Sequence, residues 1–216
     1  RREILAEVEI SHNEMAQDLR TKLEGEREHA GYLSRLPSLR NLLRAAPGAQ
    51  DATRQLEADL LPCLISFRGI DRVRVLDRGG VERFRCERIG KGVGALPWTL
   101  LDPEPDIAIL ALTRDAREGD VLLSDVVLDS RRVEVPESDR QVVHFATEVV
   151  EGENRLGVLV LTVYAAPLLD AVRRLARIPG VQSILVGRDG TYLASTDRSR
   201  ERWYPGSSNL RRNFGA

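Results

Sequence analysis

Residues 4 to 33 repeat apolar side chains at spacings of three, four and seven: Ile4, Val8, Met15, Leu19, Leu23, Ala30 and Leu33. That spacing lays one apolar stripe along a helix of 3.6 residues per turn. Glu3, Glu7, Glu14, Asp18, Arg20, Lys22 and Glu26 take the opposite face. Gly25 and Gly31 fall inside the run, and an isolated glycine costs a helix only modestly. A helix this long is unusual in a compact domain. It predicts a spine that carries smaller modules or a dimer interface, ahead of a plain surface helix docked on a core.

Leu36-Pro37 breaks the pattern. A short helix from Ser38 to Arg44, capped by Ser38, is expected next. Pro47-Gly48 marks a turn, and a further helix covers Asp51 to Phe67. From Ile70 the period changes to two. Val73 and Val75 alternate with Arg72 and Arg74, which predicts a strand. Asp77-Arg78-Gly79-Gly80 is a hairpin signal. The return strand, Val81 to Arg88, puts Phe84 and Cys86 on one face and Arg83 and Arg85 on the other. The Gly- and Pro-rich stretch from Ile89 to Pro105 is read as loop, Ile107 to Arg114 as a short helix, and Val121 to Leu128 as a strand. Gln141 to Val150 and Leu156 to Tyr164 form a hairpin pair. An amphipathic helix, Ala165 to Arg177, stops at Pro179-Gly180. A second strand-turn-strand follows, Val181 to Val186 and Thr191 to Ser195, and two strands alone do not make an independently stable sheet. The pattern is α+β: a helical spine with an antiparallel sheet of about five strands and helices packed at its face.

The chemistry that the sequence excludes is as useful. Lys+Arg total 32 against Asp+Glu 33, a net charge of -1, which argues against a nucleic-acid partner. No run of about 20 apolar residues is long enough to span a bilayer. The charged start Arg1-Arg2-Glu3 has no signal-peptide pattern, so the chain is expected to be a piece of something longer. Gly90-Lys91-Gly92-Val93-Gly94 lacks the Lys-Ser/Thr ending and the strand-to-helix context of a phosphate loop. Cys63 and Cys86 fit either one disulfide or two buried thiols. With His12, His29 and His144 scattered, neither metal nor cofactor is expected. A hydrolase built on Ser124, His144 and Asp125 or Asp129 can be drawn, but no nucleophile elbow supports it. Polar residues inside apolar strands say more. His144 lies between Val143 and Phe145 and needs a hydrogen-bond partner if buried. Arg72, Arg74 and Arg83 or Arg85 share a strand face, where like charges repel unless solvated or met by an anion. A solvated face is the first reading, and an anionic ligand such as a carboxylate the second.

The stretch Ile184-Leu185-Val186-Gly187-Arg188-Asp189-Gly190-Thr191-Tyr192-Leu193, followed by Trp203 and Asn209-Leu210, resembles the membrane-proximal module of double Cache sensor domains. The distal module of that family is matched in order. Ile70 to Asp77 and Gly80 to Arg85 resemble its first hairpin. Ser124 to Leu128, Val133-Glu134-Val135-Pro136, Val142 to Thr147 and Gly157 to Leu161 resemble its later strands. The likeness covers roughly residues 50 to 216, and the long helix fits it.

This resemblance implies a long N-terminal helix carrying two PAS-like modules, the second smaller and incomplete. The expected division is a spine at 1–49, a distal module at 50–164, a connecting helix at 165–178 and a partial proximal module at 179–216. It implies a non-catalytic, extracytoplasmic (periplasmic) sensor region at a bacterial inner membrane, anchored by flanking segments outside this chain. The output is expected to be a histidine kinase, with a diguanylate cyclase or chemotaxis receptor as alternatives. The distal module is expected to bind a small ligand, an anionic one being a candidate, with Arg72, Arg74, Arg85, Trp98, Ser124, Asp125, Asp129 and His144 lining its site. A homodimer through the N-terminal helix is the expected partner arrangement. A protein-interaction or dimerisation module without a small ligand is the alternative.

Overall fold

A computed structural model describes residues 2–90, 92–129, 140–173, 183–187 and 192–195. The motifs at 133–136, 188–190, 203 and 209–210 lie outside these residues. The long apolar stripe forms helix α1, Arg2–Leu33, with Gly25 and Gly31 inside it. Helices α2 (Pro37–Arg44) and α3 (Gln50–Ser66) follow. Ser38 does not cap α2. Pro37, which has no amide hydrogen to satisfy, opens the helix, and the Ser38 hydroxyl instead donates to Asp59 Oδ2 at 2.5 Å.

The chain forms two compact units, each drawn from more than one stretch. Unit 2 comprises Gly25–Ser124 and Val143–Val163. Its strands are β1 (Ile70–Asp77), β2 (Glu82–Ile89), β3 (Gly92–Ala95), β4 (Val121–Leu123), β6 (Gln141–Glu151) and β7 (Asn154–Tyr164), in the order β3-β2-β1-β7-β6-β4. Helix α4, Ile107–Leu112, lies between β3 and β4 in sequence. The stretch read as loop therefore holds an edge strand, Gly92–Ala95, and a 3-10 turn at Trp98–Leu100. The strand expected across Val121 to Leu128 is broken at Ser124–Val126 into β4 and β5 (Val127–Leu128).

Register fixes the two faces of this sheet. Val73 pairs with Cys86 and Leu161, and Val75 with Phe84 and Leu159. These side chains share one fully buried face, and α3 packs on β1 to β3 through an element whose Leu56, Leu60 and Leu64 are buried. Arg88, on the same face, donates to the carbonyl oxygens of Ile70, Leu64 and Phe67. The opposite face carries Arg72, Arg74 and Leu76 on β1, paired with Thr162, Val160 and Val158 of β7. There Leu76, Val158, Val160 and Ala146 pack against Ile109 and Leu112 of α4.

Unit 1 comprises Arg1–Glu24, Asp125–Val142 and Tyr164–Ala216. Val127 and Leu128 of β5 pair with Val142 and Gln141. Helix α5 is Ala166–Arg173, and β8 (Ile184–Val186) pairs antiparallel with β9 (Tyr192–Ser195). Its core joins Ala165, Leu169, Val172 and Ala194, with Met15 and Leu19 of the α1 stripe packed against it. Among the described residues no helix is long and apolar enough to cross a membrane.

Two glycines are dictated by geometry. Gly80 turns the β1–β2 hairpin at φ +83, where an added Cβ would lie 2.7 Å from Leu110 Cδ1. A Cβ on Gly157 would meet the Leu76 carbonyl oxygen and stand 2.9 Å from Leu43 Cδ2. Gly157→Val should therefore destabilise the protein by about 2–4 kcal/mol, read from urea unfolding. Cys63 and Cys86 are free thiols. Burial, with Glu57 and Glu87 nearby, pushes Cys86 up to about 12. Its thiolate fraction at pH 8 is then about one in ten thousand, so a thiol reagent should label Cys86 only after unfolding and partly buried Cys63 first.

Candidate functional site

The face of the unit 2 sheet beneath α4 is where strand alternation places charge. Odd residues of β1 (Val73, Val75) face the helices, so even ones (Arg72, Arg74) must face α4. Arg74 stands opposite Arg85 across the hairpin, and Arg72 opposite Glu87. The first reading of these arginines as a solvated face is overturned. Arg72, Arg74 and Arg85 are 5%, 5% and 7% exposed. A buried guanidinium needs a counter-charge, and the chain supplies one for each.

Arg72 contacts Asp71 Oδ2 and Glu87 Oε2, each at 3.3 Å. Asp71 reaches it because the β1–β7 register slips between Ile70 and Arg72. Arg85 holds Glu82 through two parallel contacts, Nε to Oε1 at 2.9 Å and Nη2 to Oε2. The slip between Val75 and Leu76 opposite β2 brings Glu82 onto this face. Glu82 Oε2 also accepts the Asp102 amide at 2.9 Å, pinning the loop before α4. Arg74 Nη2 donates to Asp106 Oδ2 at 2.9 Å. Asp106 Oδ1 accepts the Ile109 amide at 3.1 Å and so caps α4.

At the other end of α4, Arg155 bridges Thr113 Oγ1 (2.9 Å) and Glu148 (2.8 Å), while the Thr113 hydroxyl donates to Ile109 O. His144, half-buried on the same sheet face, places Nδ1 3.1 Å from Thr162 Oγ1. Burial alone would raise the Asp106 carboxyl. The Ile109 amide, the Arg74 guanidinium and His144 together outweigh it and hold the carboxyl below the usual range.

The structure thus gathers Arg72, Arg74, Arg85 and His144 on one face. Ser124 joins through the backbone: its Oγ accepts the His144 amide and its own amide donates to His144 O, both at 2.9 Å. The imidazole Nδ1 is turned to Thr162. Trp98 is 44% exposed beside the Gly48 turn, with the Arg83 guanidinium 6.0 Å from its ring, and no contact joins it to the ion pairs beneath α4 among the described residues. Asp125 and Asp129 belong to unit 1, where Asp125 is exposed and Asp129 buried. Sequence reasoning missed Glu82, Glu87, Asp106 and Thr162. Asp106 carried a legible signal, an N-cap residue directly before the apolar run Ile107 to Leu112. Among the described residues, no group of His, Cys, Asp or Glu could hold a metal ion.

Two outcomes follow from the ion pairs. Glu82→Ala strands a buried Arg85 and should cost about 3–5 kcal/mol in urea unfolding, while a joint Glu82→Leu, Arg85→Met change should cost much less. Asp106 titrates lower folded than unfolded, so its contribution is fully present above about pH 4 and is lost as pH falls through its folded value. Stability should accordingly fall less steeply below about pH 4 in Asp106→Asn than in the wild type, as followed by circular dichroism.

No family model and no curated protein matches the sequence. Solved structures do match its fold. The extracellular domain of vpHK1S-Z8, a histidine kinase by name, superposes with a TM-score of 0.78 at 17% identity, covering 99% of this chain and 77% of that one. A domain of a sensory box/GGDEF family protein from Vibrio parahaemolyticus gives 0.73 at 18% identity, covering 93% and 75%. The ligand-binding domain of the Campylobacter jejuni chemoreceptor Tlp3, in complex with L-valine, gives 0.61 at 14% identity, covering 89% and 69%. The chain has the α+β fold of Cache-type sensor domains, a long N-terminal helix with antiparallel sheets.

Proposed function

We propose that this chain is the extracytoplasmic sensor region of a bacterial transmembrane receptor, and that it binds a small molecule between the charged sheet face of unit 2 and α4. The observation that carries the reading is the buried arginine–carboxylate cluster of Arg72, Arg74, Arg85, Glu82, Glu87 and Asp106 in a sensor-domain fold. Such a cluster is costly to maintain as pure core. Unit 2 corresponds to the distal module and unit 1 to the proximal one. Helix α1 contributes to both, which makes it the element through which a change in the distal module is passed on.

The receptor type is proposed as a histidine kinase, with a diguanylate cyclase or chemoreceptor as alternatives, and the membrane anchors as flanking segments. The amino acid bound to the Campylobacter chemoreceptor suggests where to begin a screen. Branched-chain amino acids and small organic acids should be tested by thermal shift on residues 1–216. A specific ligand at one hundred times its Kd stabilises by about 2.7 kcal/mol, and His144→Ala or Arg72→Gln should weaken that stabilisation. If no molecule of a broad metabolite library raises Tm, direct small-molecule sensing by this region is wrong. A protein-binding role is the second reading, favoured by the exposed Leu100 and Ile107 around α4. Dimerisation is proposed through α1, where Ile10 stands exposed on the helix. Ile10→Glu should then lower the dimer fraction in sedimentation equilibrium at fixed protein concentration.

A further inference from the structure

Arg74 and Asp106 are 32 residues apart in sequence, and the fold alone brings them together. Arg74 is 5% exposed, and its Nε has no hydrogen-bond partner among the described residues. A guanidinium grips a carboxylate best through two parallel N–H bonds. The contact to Asp106 uses Nη2, so the Nε edge of the fork is left over. Asp106 is divided too. Its Oδ1 caps α4 at Ile109 while its Oδ2 serves Arg74. One carboxylate therefore neutralises the arginine and starts the helix that covers the site. By contrast, Arg85 is already held by two contacts to Glu82, and Arg72 lies between Asp71 and Glu87.

Resting on the reading of this face as a ligand site, we propose that Asp106 is an internal stand-in for a ligand carboxylate, so that a small carboxylic acid binds Arg74 by displacing Asp106 and thereby frees the N-terminal end of α4. Charge balance favours exchange over addition. Arg72, Arg74 and Arg85 each already meet a carboxylate, so an incoming anion finds one of these three guanidiniums open only when its own carboxylate leaves. Asp106 is the one best placed to go. Glu82 has a side chain only 1% exposed and grips Arg85 through two contacts, and a departing Glu87 would leave Arg72 still facing Asp71, whereas the Asp106 side chain is 24% exposed and makes one contact to Arg74. A displaced Asp106 thus has water to turn to. The remaining holds on α4 are the Asp106 amide donating to Gly80 O at 3.0 Å, the apolar contacts of Ile109 and Leu112 with Leu76, Ala146, Val158 and Val160, and the Thr113–Arg155 bridge at its far end. The change delivered by binding is a loosening of one end of one helix.

The test uses acetate, the smallest stand-in for an aspartate side chain, with acetamide as its uncharged match, at constant ionic strength. Asparagine still caps helices, so Asp106→Asn removes the internal anion without removing the cap. Millimolar acetate should raise the Tm of Asp106→Asn, acetamide should not, and the wild type should need at least about tenfold more acetate because its own carboxylate competes. Arg74→Gln should abolish the response. In the wild type, exchange of the Ile109 amide hydrogen should speed up with acetate and not with chloride. The proposal is overturned if Asp106→Asn responds to acetate no better than wild type, if acetamide serves equally, or if Arg74→Gln still responds. Should Asp106→Asn not fold, an unchanged Ile109 exchange rate in acetate overturns it alone. A library ligand that binds this face without a carboxylate or Arg74 defeats the exchange and leaves the sensor reading standing. Acetate rescue of Asp106→Asn with no library ligand found would support the exchange and defeat the sensor reading.

Discussion

Burying arginine on a strand face sets the terms for the rest of unit 2. A guanidinium taken out of water without an anion loses several kcal/mol of hydration, and a low-dielectric interior repays this only through close, well-oriented carboxylates. Arg72, Arg74 and Arg85 sit at alternate positions that the pleat aims at α4. Their carboxylates come from three places: a neighbouring residue at a register slip (Asp71), the paired strand (Glu82, Glu87), and the start of the covering helix (Asp106). The path of the chain from Leu101 to Leu112 follows from the last two. Glu82 takes the Asp102 amide, and Asp106 binds Arg74 while opening α4.

The two faces of the sheet divide the labour. Against the helices, Val73, Val75, Phe84, Cys86, Leu159 and Leu161 are sealed from water and unbroken by charge except for Arg88, whose guanidinium caps carbonyl oxygens at the end of α3 and the turn after it. Apolar burial of this kind contributes about 25 cal/mol per Å² and asks for no partner geometry. Toward α4, apolar contact is confined to one patch around Leu76, and charged pairs fill the rest. Well-packed apolar residues in place of buried ion pairs are often neutral or stabilising. Pairs kept on one face alone, under a short helix, are the feature on which the proposed ligand site rests.

Local pattern carried much of this. The period-two run from Ile70, the Asp77–Gly80 hairpin and the stripe of α1 each follow from neighbours in sequence, and each formed where alternation or helical spacing put it. What failed depended on distance along the chain. Arg72 and Arg74 read as solvated because Asp106, 32 residues beyond Arg74, is invisible to a strand pattern. Edge strand β3 was hidden by Gly92 and Gly94, residues depleted in strands, and forms because β2 offers it a ladder. Ser38 lost its expected cap role to Pro37, one residue earlier, whose fixed φ suits the first helical position. Of the candidate site residues, those on β1, β2 and β6 came together because alternation is a local rule. Trp98 fell beside the Gly48 turn because its place depends on the path of the chain after β3, which no local rule sets.

The two ends of α4 are held by chemically similar devices, an arginine of the sheet meeting a polar side chain at each terminus of the helix. At its C-terminal end Arg155, itself paired with Glu148, donates to the Thr113 hydroxyl. At its N-terminal end the same carboxylate makes the cap and the ion pair, so a competitor for Arg74 disturbs both at once. A helix of six residues has few internal hydrogen bonds and draws its order from such attachments. Weakening the first turn while the last stays pinned would swing α4 about Thr113, away from Leu76 at its apolar centre. Local elements of low stability are the ones that switching proteins draw on, and in the proposed exchange α4 would serve as one, its Arg74 attachment released and its Thr113 attachment kept.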